Sequence, residues 1–303
     1  MTLDTYIVEG GIGKCLCFTA LLPKLAEKAG GPVQIVTPYI DVFAGNPLVK
    51  MCYDESSIPL DDPRILESDN IYYAEPYKSN FVKGDEHLIH SYCKSFGVEF
   101  EVSMRPQMYT DSIKQHAKEW KRSVGVKEKY IMVQFSGGQT PLGWNAQNAY
   151  QSSNSGRNYP PYFAQGIVNA LLEIYPDHSI IDSTLPNEPF YQGSIKCDQS
   201  FTVIHELLKG ASGFISIDSS LQHFAASVGV PGVVIWGNTR WTQFGWMQNK
   251  NMSFHDKKKY NTWYKMDVND PRNLLVDPKD VIDVYMNQVH GQKITEVKVA
   301  HKK

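Results

Sequence analysis

A strand that runs into a glycine-rich turn occurs early and again midway in this 303-residue chain. That doubled pattern constrains the fold more than any other feature. The first copy is the short apolar run Thr5 to Val8, followed by Gly10-Gly11-Ile12-Gly13-Lys14 and a helical stretch to Lys28. The second is Tyr130 to Phe135, followed by Ser136-Gly137-Gly138-Gln139-Thr140. Glycine lets the backbone turn sharply and lets a ligand come close to the main chain. The N–H groups that open the following helix are suited to an anion. Neither the GxxxxGK[ST] spacing of a P-loop nor the GxGxxG dinucleotide fingerprint is present, so a plain strand-to-helix turn is the competing reading of either copy alone. Two such loops in two halves are more informative than one.

Between and after these turns, short strands alternate with helical periodicity. Strands are expected at Val33 to Thr37, Asn70 to Ala74, Ser179 to Asp182, Gly213 to Ile217 and Val233 to Trp236. Helices are expected at His87 to Phe96, Thr110 to Val124, Tyr162 to Tyr175, Phe201 to Lys209, Leu221 to Val228 and Pro278 to Val289. Alternation of this kind predicts an α/β protein with parallel sheets covered by helices. Chain length gives two domains at about 100–200 residues each. Gly125 and the polar Lys127-Glu128-Lys129 read as the linker. The expected division is an N-terminal domain over 1–126, a second domain over 127–277, and a segment over 278–303 made of a C-terminal helix that packs back on the N-terminal domain and a frayed tail from His290. A cleft between two such halves is the default ligand site.

Composition narrows the function classes. The formal charge is -2, from 30 Lys+Arg against 32 Asp+Glu, which gives no global argument for nucleic-acid or membrane binding. The N-terminus MTLDTYIVEGG lacks the charged-then-apolar pattern of a signal peptide, and no apolar run approaches the roughly 18 residues of a membrane span. Cys15, Cys17, Cys52, Cys93 and Cys197 are odd in number and lack metal-type spacing. They fit free thiols in a reducing, cytoplasmic setting. No metal site, no tightly bound cofactor and no integral membrane contact are expected. Nothing in the sequence sets an oligomeric state.

The sharpest motif is Ile217-Asp218-Ser219-Ser220-Leu221-Gln222-His223, where a strand gives way to a helix. Asp218 or Ser219 is placed to cap that helix. The same terminus offers N–H groups, two hydroxyls and an imidazole to a phosphate. Ala225-Ala226, Gly229-Val230-Pro231 and Gly237-Asn238-Thr239 follow. This block resembles the nucleotide-sugar site of the heptosyltransferase family, glycosyltransferase family 9. Its members run Asp-Ser/Thr-Gly, a His, a small-residue helix, a Gly-x-Pro turn and a strand ending in Gly-x-Thr. The resemblance spans roughly residues 5 to 250. It implies a GT-B fold of two Rossmann-like domains facing a central cleft, with the donor held mainly by the C-terminal domain. It also implies metal-independent, inverting transfer of a sugar from a nucleotide diphosphate, a UDP- or ADP-sugar. Two positions depart from the pattern. Lys14 stands where the family usually places an Asp general base, and Ser220 replaces the usual Gly. The GGIGK form is similar to divergent members from phages and environmental bacteria.

Residues are assigned on this basis. Gly11, Gly13, Ser136, Gly137, Gly138, Ser219, Ser220 and His223 are donor and phosphate candidates, with Asp218 acting by orientation. Lys14 and Arg157 are the cationic candidates, against the plain alternative of surface charges. Asp182, at a strand end, is a candidate for a ribose hydroxyl. Asp41 and Glu75 rank above Glu9 as general base, so the catalytic set is Asp41, Glu75 and Lys14. Residues 240–265 interleave basic and aromatic side chains. Lys257, Lys258, Lys259 and Trp263 are therefore candidates for an acceptor that is polyanionic, either DNA carrying hydroxymethylated cytosine or a phosphorylated glycan. The plainer reading is a donor-site rim with a solvated lysine run. A sugar-nucleotide-binding protein without activity, and a GT-B-like epimerase, stay open beside the transferase.

Overall fold

The computed structural model describes residues 3–59, 61–77, 81, 86–137, 158–184, 188, 190–237, 239–253, 275–290 and 298. The first half contains strands β1 (Asp4–Ile7), β2 (Val33–Thr37), β3 (Val49–Asp54) and β4 (Asn70–Tyr73). They form a sheet in the order β3-β2-β1-β4, with every neighbouring pair parallel. Its helices are α1 (Ile12–Phe18), α2 (Leu22–Ala29) and α3 (Leu88–Phe96), followed by α4 (Lys114–Ser123). The single helix expected after the first glycine turn is two, joined by a 3-10 turn at Thr19–Leu21. Pro23 sits in the first turn of α2, where its missing N–H is harmless.

The second half holds β5 (Lys129–Gln134), α5 (Pro161–Ile174), β6 (His178–Ser183), β7 (Ile195–Cys197) and α6 (Phe201–Leu208). It continues with β8 (Phe214–Ile217), α7 (Ser220–Val228), β9 (Gly232–Ile235), β10 (Lys250–Met252) and α8 (Pro278–Gln288). The sheet order is β10-β9-β8-β5-β6-β7, again parallel throughout. Parallel strands need both faces covered, which is why β5, β6, β8 and β9 are buried almost end to end.

Alternation along the strands divides the core. Tyr6 faces the helices and packs with Phe18, Tyr72 and Phe96. Ile7 points to the opposite face with Val36, Ile58 and Ile65. In the second half, Ile131 and Val133 face α5 and α8, while Tyr130 and Met132 turn the other way. That second face is continuous with the core of the first half, since Tyr6, Phe18, Met132, Phe224 and Trp246 belong to one cluster.

Two segments sit differently from expectation. The sequence predicts that the C-terminal helix packs on the N-terminal domain. Instead α8 lies against α5, β9 and β10, because Val281, Ile282 and Tyr285 complete the core over that face of the second sheet. Helix α4, expected as part of the first domain, packs against α6. Just before it, the Thr110 hydroxyl lies 2.9 Å from His205 Nδ1 and 2.9 Å from Glu206 Oε2. Among the described residues, no helix is long and apolar enough to cross a membrane.

Candidate active site

A cavity of about 840 Å³ opens between the two halves. The first half supplies Gly10, Gly11, Ile12, Pro38 and Tyr39. The second supplies, among others, Gln134, Gly137, Thr184, Glu188, Ser200, Phe201 and Ser220. These residues lie where strands β1, β2, β5, β6 and β8 end, the usual ligand position in parallel α/β sheets. Tyr39 meets Phe201 edge to face across the opening, with ring centroids 6.2 Å apart.

The N-termini of three helices face this space, through Gly11 before α1, Ser200 before α6, and Ser220 in the first turn of α7. None of the three has a side-chain cap bond. Elsewhere His87 and Asp277 accept the first-turn N–H groups of α3 and α8. Uncapped N–H groups with the positive ends of helix dipoles favour negative charge in the cavity.

Side-chain bonds hold the start of α7. The Ser219 hydroxyl donates to Gln134 Oε1 at 2.6 Å, joining the α7 cap to the end of β5. Buried Asp218 accepts from Gln222 Nε2 at 2.8 Å and from the Thr239 hydroxyl at 2.6 Å. Both its oxygens are therefore engaged in fixing the turn. The Gly137 N–H donates to Asn158 Oδ1 at 3.0 Å. A Cβ on Gly137 would lie 3.4 Å from the Ser219 Cβ, so the second glycine turn rests against the α7 cap. Ser136 is buried beside it.

His223 is buried where α7 meets α1. A Cβ on Gly13 would lie 2.9 Å from its Cδ2 and 3.3 Å from its Nε2, so this position needs glycine for close approach. The Trp246 indole N–H donates to His223 Nδ1 at 3.2 Å, and Cys17 Sγ lies 3.4 Å from the same nitrogen. Trp246, expected among the aromatics of an acceptor segment, is fully buried between His223 and His87. Burial, and then His223, push His87 down to about 3.

The catalytic candidates divide. Lys14 and Glu75 come together, Nζ to Oε2 at 3.9 Å, with the ammonium 4.9 Å from the Tyr77 ring centroid. Glu75 also accepts the Tyr77 N–H at 2.7 Å. Asp41 stands apart and exposed, in the first turn of the short helix Ile40–Phe43 that follows Tyr39. Asp182 does not line the cavity. It is buried, and its Oδ2 has no hydrogen-bond partner among the described residues. Burial and then the neighbouring Glu188 push its carboxyl up to about 8. Glu188 and Asp198 are the acids in the cavity wall, and Glu188 accepts the Thr184 hydroxyl at 3.2 Å. Gly138, Arg157, Lys257, Lys258, Lys259 and Trp263 lie outside the described residues.

Sequence reasoning missed Glu188, Gln134, Tyr39 and Phe201. Gln134 and Tyr39 were signalled by their places at or just beyond strand ends. Glu188 lies five residues beyond the end of β6, and no spacing points to it. Among the described residues, no group of three or more His, Cys, Asp or Glu side chains is placed to hold a metal ion.

Residues 197–271 match the model of glycosyltransferase family 9 (heptosyltransferase), a block containing α6, α7 and the Asp218-to-His223 turn. Over that block the chain is similar to glycosyltransferase family 9. The fold extends the likeness. A family 9 glycosyl transferase from Veillonella parvula aligns over 95% of this chain and 97% of its own, with TM-score 0.67 at 11% identity. The E. coli ADP-heptose LPS heptosyltransferase II aligns over 93% and 96%, with TM-score 0.66 at 10% identity. E. coli heptosyltransferase WaaC with ADP aligns over 94% and 99%, with TM-score 0.59 at 10% identity. The fold is therefore GT-B. No curated protein sequence matches the chain. The family match and the neighbours agree with the enzyme class expected from the sequence, a nucleotide-sugar-dependent glycosyltransferase.

Proposed function

We propose that the cavity between the halves binds a nucleotide-diphosphate sugar and transfers the sugar, with inversion, to an acceptor hydroxyl. The observation that carries this reading is the convergence of three uncapped helix N-termini on a cavity of about 840 Å³, two of them inside the family 9 block. That volume lies within the usual small-ligand range of about 300–1,000 Å³. In this reading the diphosphate lies across Ser219, Ser220 and Gly137, with the nucleoside towards Thr184 and Glu188.

The sugar's C1–O bond to phosphate breaks, and its electron pair leaves with the nucleoside diphosphate. The acceptor oxygen attacks C1 from the opposite face and gives its proton to a general base. The N–H groups of α6 and α7 stabilise the departing charge, and because the helices hold them in place they do so without reorganising. Asp41 suits the base better than Glu75. It follows Tyr39 at the cavity wall, whereas Glu75 is already engaged by Lys14 and the Tyr77 N–H.

The test is acceptor-dependent release of nucleotide from ADP- and UDP-sugars, with and without EDTA. Candidate acceptors are soluble and lipid-linked glycans and hydroxymethylcytosine-containing DNA. The proposal expects release that needs an acceptor and survives the chelator. Sugar isomerisation without an acceptor would make the protein an epimerase. Loss of activity in EDTA, restored by magnesium or manganese, would remove the metal-independent mechanism.

A further inference from the structure

Trp246 is wholly buried, and its indole N–H points at Nδ1 of His223. An indole N–H can only donate. At 3.2 Å, His223 Nδ1 must therefore present its lone pair. Burial raises the Cys17 thiol well above its ordinary range, so Cys17 stays an uncharged S–H beside the same nitrogen. The ring proton is then on Nε2. That edge faces Gly13 at the start of α1, where a Cβ would sit 3.3 Å from Nε2. His87, on the other side of Trp246, is fixed in the same way, because its Nδ1 accepts the Ile89 N–H at 3.2 Å.

We propose that Trp246 is a positioning residue, whose indole N–H holds His223 as the neutral Nε2–H tautomer at the seam between α1 and α7. This rests on the reading that the cavity takes a nucleotide diphosphate. His223 then contributes an N–H of fixed direction, not a positive charge and not a base. Neither Trp246 nor His223 lines the cavity, so the device acts through the start of α1, whose Gly11 and Ile12 do line it. It also explains why Gly13 has no side chain, since any Cβ there would displace the ring edge that carries the proton.

The test uses the full chain, labelled with ¹⁵N in histidine. Wild type should show His223 with an unprotonated Nδ1 and a protonated Nε2. Trp246→Phe keeps an aromatic ring and removes the N–H, so it should give a tautomer mixture. It should also weaken binding of ADP or UDP about three- to tenfold, the scale of one hydrogen bond. His223→Gln, which keeps an amide N–H near the Nε2 position, should bind nucleotide more tightly than His223→Phe. An imidazolium or an Nδ1–H ring in wild type would overturn the proposal, and that spectrum decides even if Trp246→Phe fails to fold. Equal losses in His223→Gln and His223→Phe would also overturn it. If neither ADP nor UDP binds wild type, the donor reading fails, and the ring spectrum still decides the tautomer separately.

Discussion

The two glycine turns answer the same geometric demand with different support. Around Gly137 the second half is pinned throughout: the N–H to Asn158, Ser219 to Gln134, and Asp218 to both Gln222 and Thr239. Around Gly10 and Gly11 the first half is looser. A Cβ on Gly11 would have nothing within 4 Å, and Gly10, at φ 98°, is covered by the stem of Lys14. The sheets differ alike. At the sheet edges, β7 and β10 carry no exposed residue, whereas Met51 on β3 and Tyr73 on β4 are 47% and 58% exposed. Preorganised groups stabilise a developing charge without moving. On the proposed reading, the contrast assigns the fixed second half to the anionic donor and the looser first half to the acceptor.

The comparison breaks most easily at the acids of the first half. Asp41→Asn should lower kcat about 100- to 10,000-fold with little change in donor affinity, as expected for loss of a general base. Glu75→Gln should have a far smaller effect, because Glu75 is 3.9 Å from Lys14 and serves that loop. Steady-state kinetics of both variants decide the matter, and the reverse ranking would transfer the role to Glu75.

A smaller effect separates the two glycines of the first turn. Gly13→Ala should cost about 1–3 kcal/mol in denaturant unfolding, because a Cβ 2.9 Å from His223 overpacks a seam that cannot yield. Gly11→Ala, at φ −73° with open space around it, should change stability by less than about 1 kcal/mol. Equal costs would mean that the seam between α1 and α7 is softer than the geometry requires.

A pH dependence tests the second half. Asp182 is raised to about 8 in the fold, so the native state binds more protons than the unfolded chain between its ordinary carboxylate range and about 8. The stability this contributes is complete at low pH and is lost as pH rises through about 8. Asp182→Asn keeps the shape without the charge. It should match wild type near pH 4 and unfold at higher denaturant than wild type near pH 8. Parallel curves at both values would show that Asp182 is not the proton holder.

The strands with continuous apolar runs, such as Val33 to Thr37 and Val233 to Trp236, were legible because burial on both faces demands that composition. Strand β3, with its sequence VKMCYD, was not, because an edge position tolerates exposed and charged residues. The three-residue strands β7 and β10 are edges as well, too short for any periodicity. In the site, the Asp218-to-His223 turn was legible from its spacing. Asp182 and Glu188 show the limit of position alone. Both are acids within or beyond the same strand end, and only Glu188 lines the cavity. The partnership of Trp246 with His223 joins residues 23 apart and leaves no periodic trace.

Calorimetric titration of nucleotide-diphosphate sugars into wild type and into the variant Ser220→Ala, which removes the hydroxyl in the cavity wall and leaves the Ser219–Gln134 bond intact, tests the central claim most directly. At least one ADP- or UDP-sugar should bind wild type and lose about 1–3 kcal/mol of affinity in the variant, the scale of hydrogen bonds to a charged group. Binding that is unchanged in the variant, or absent for every donor in wild type, would contradict a diphosphate site at the start of α7.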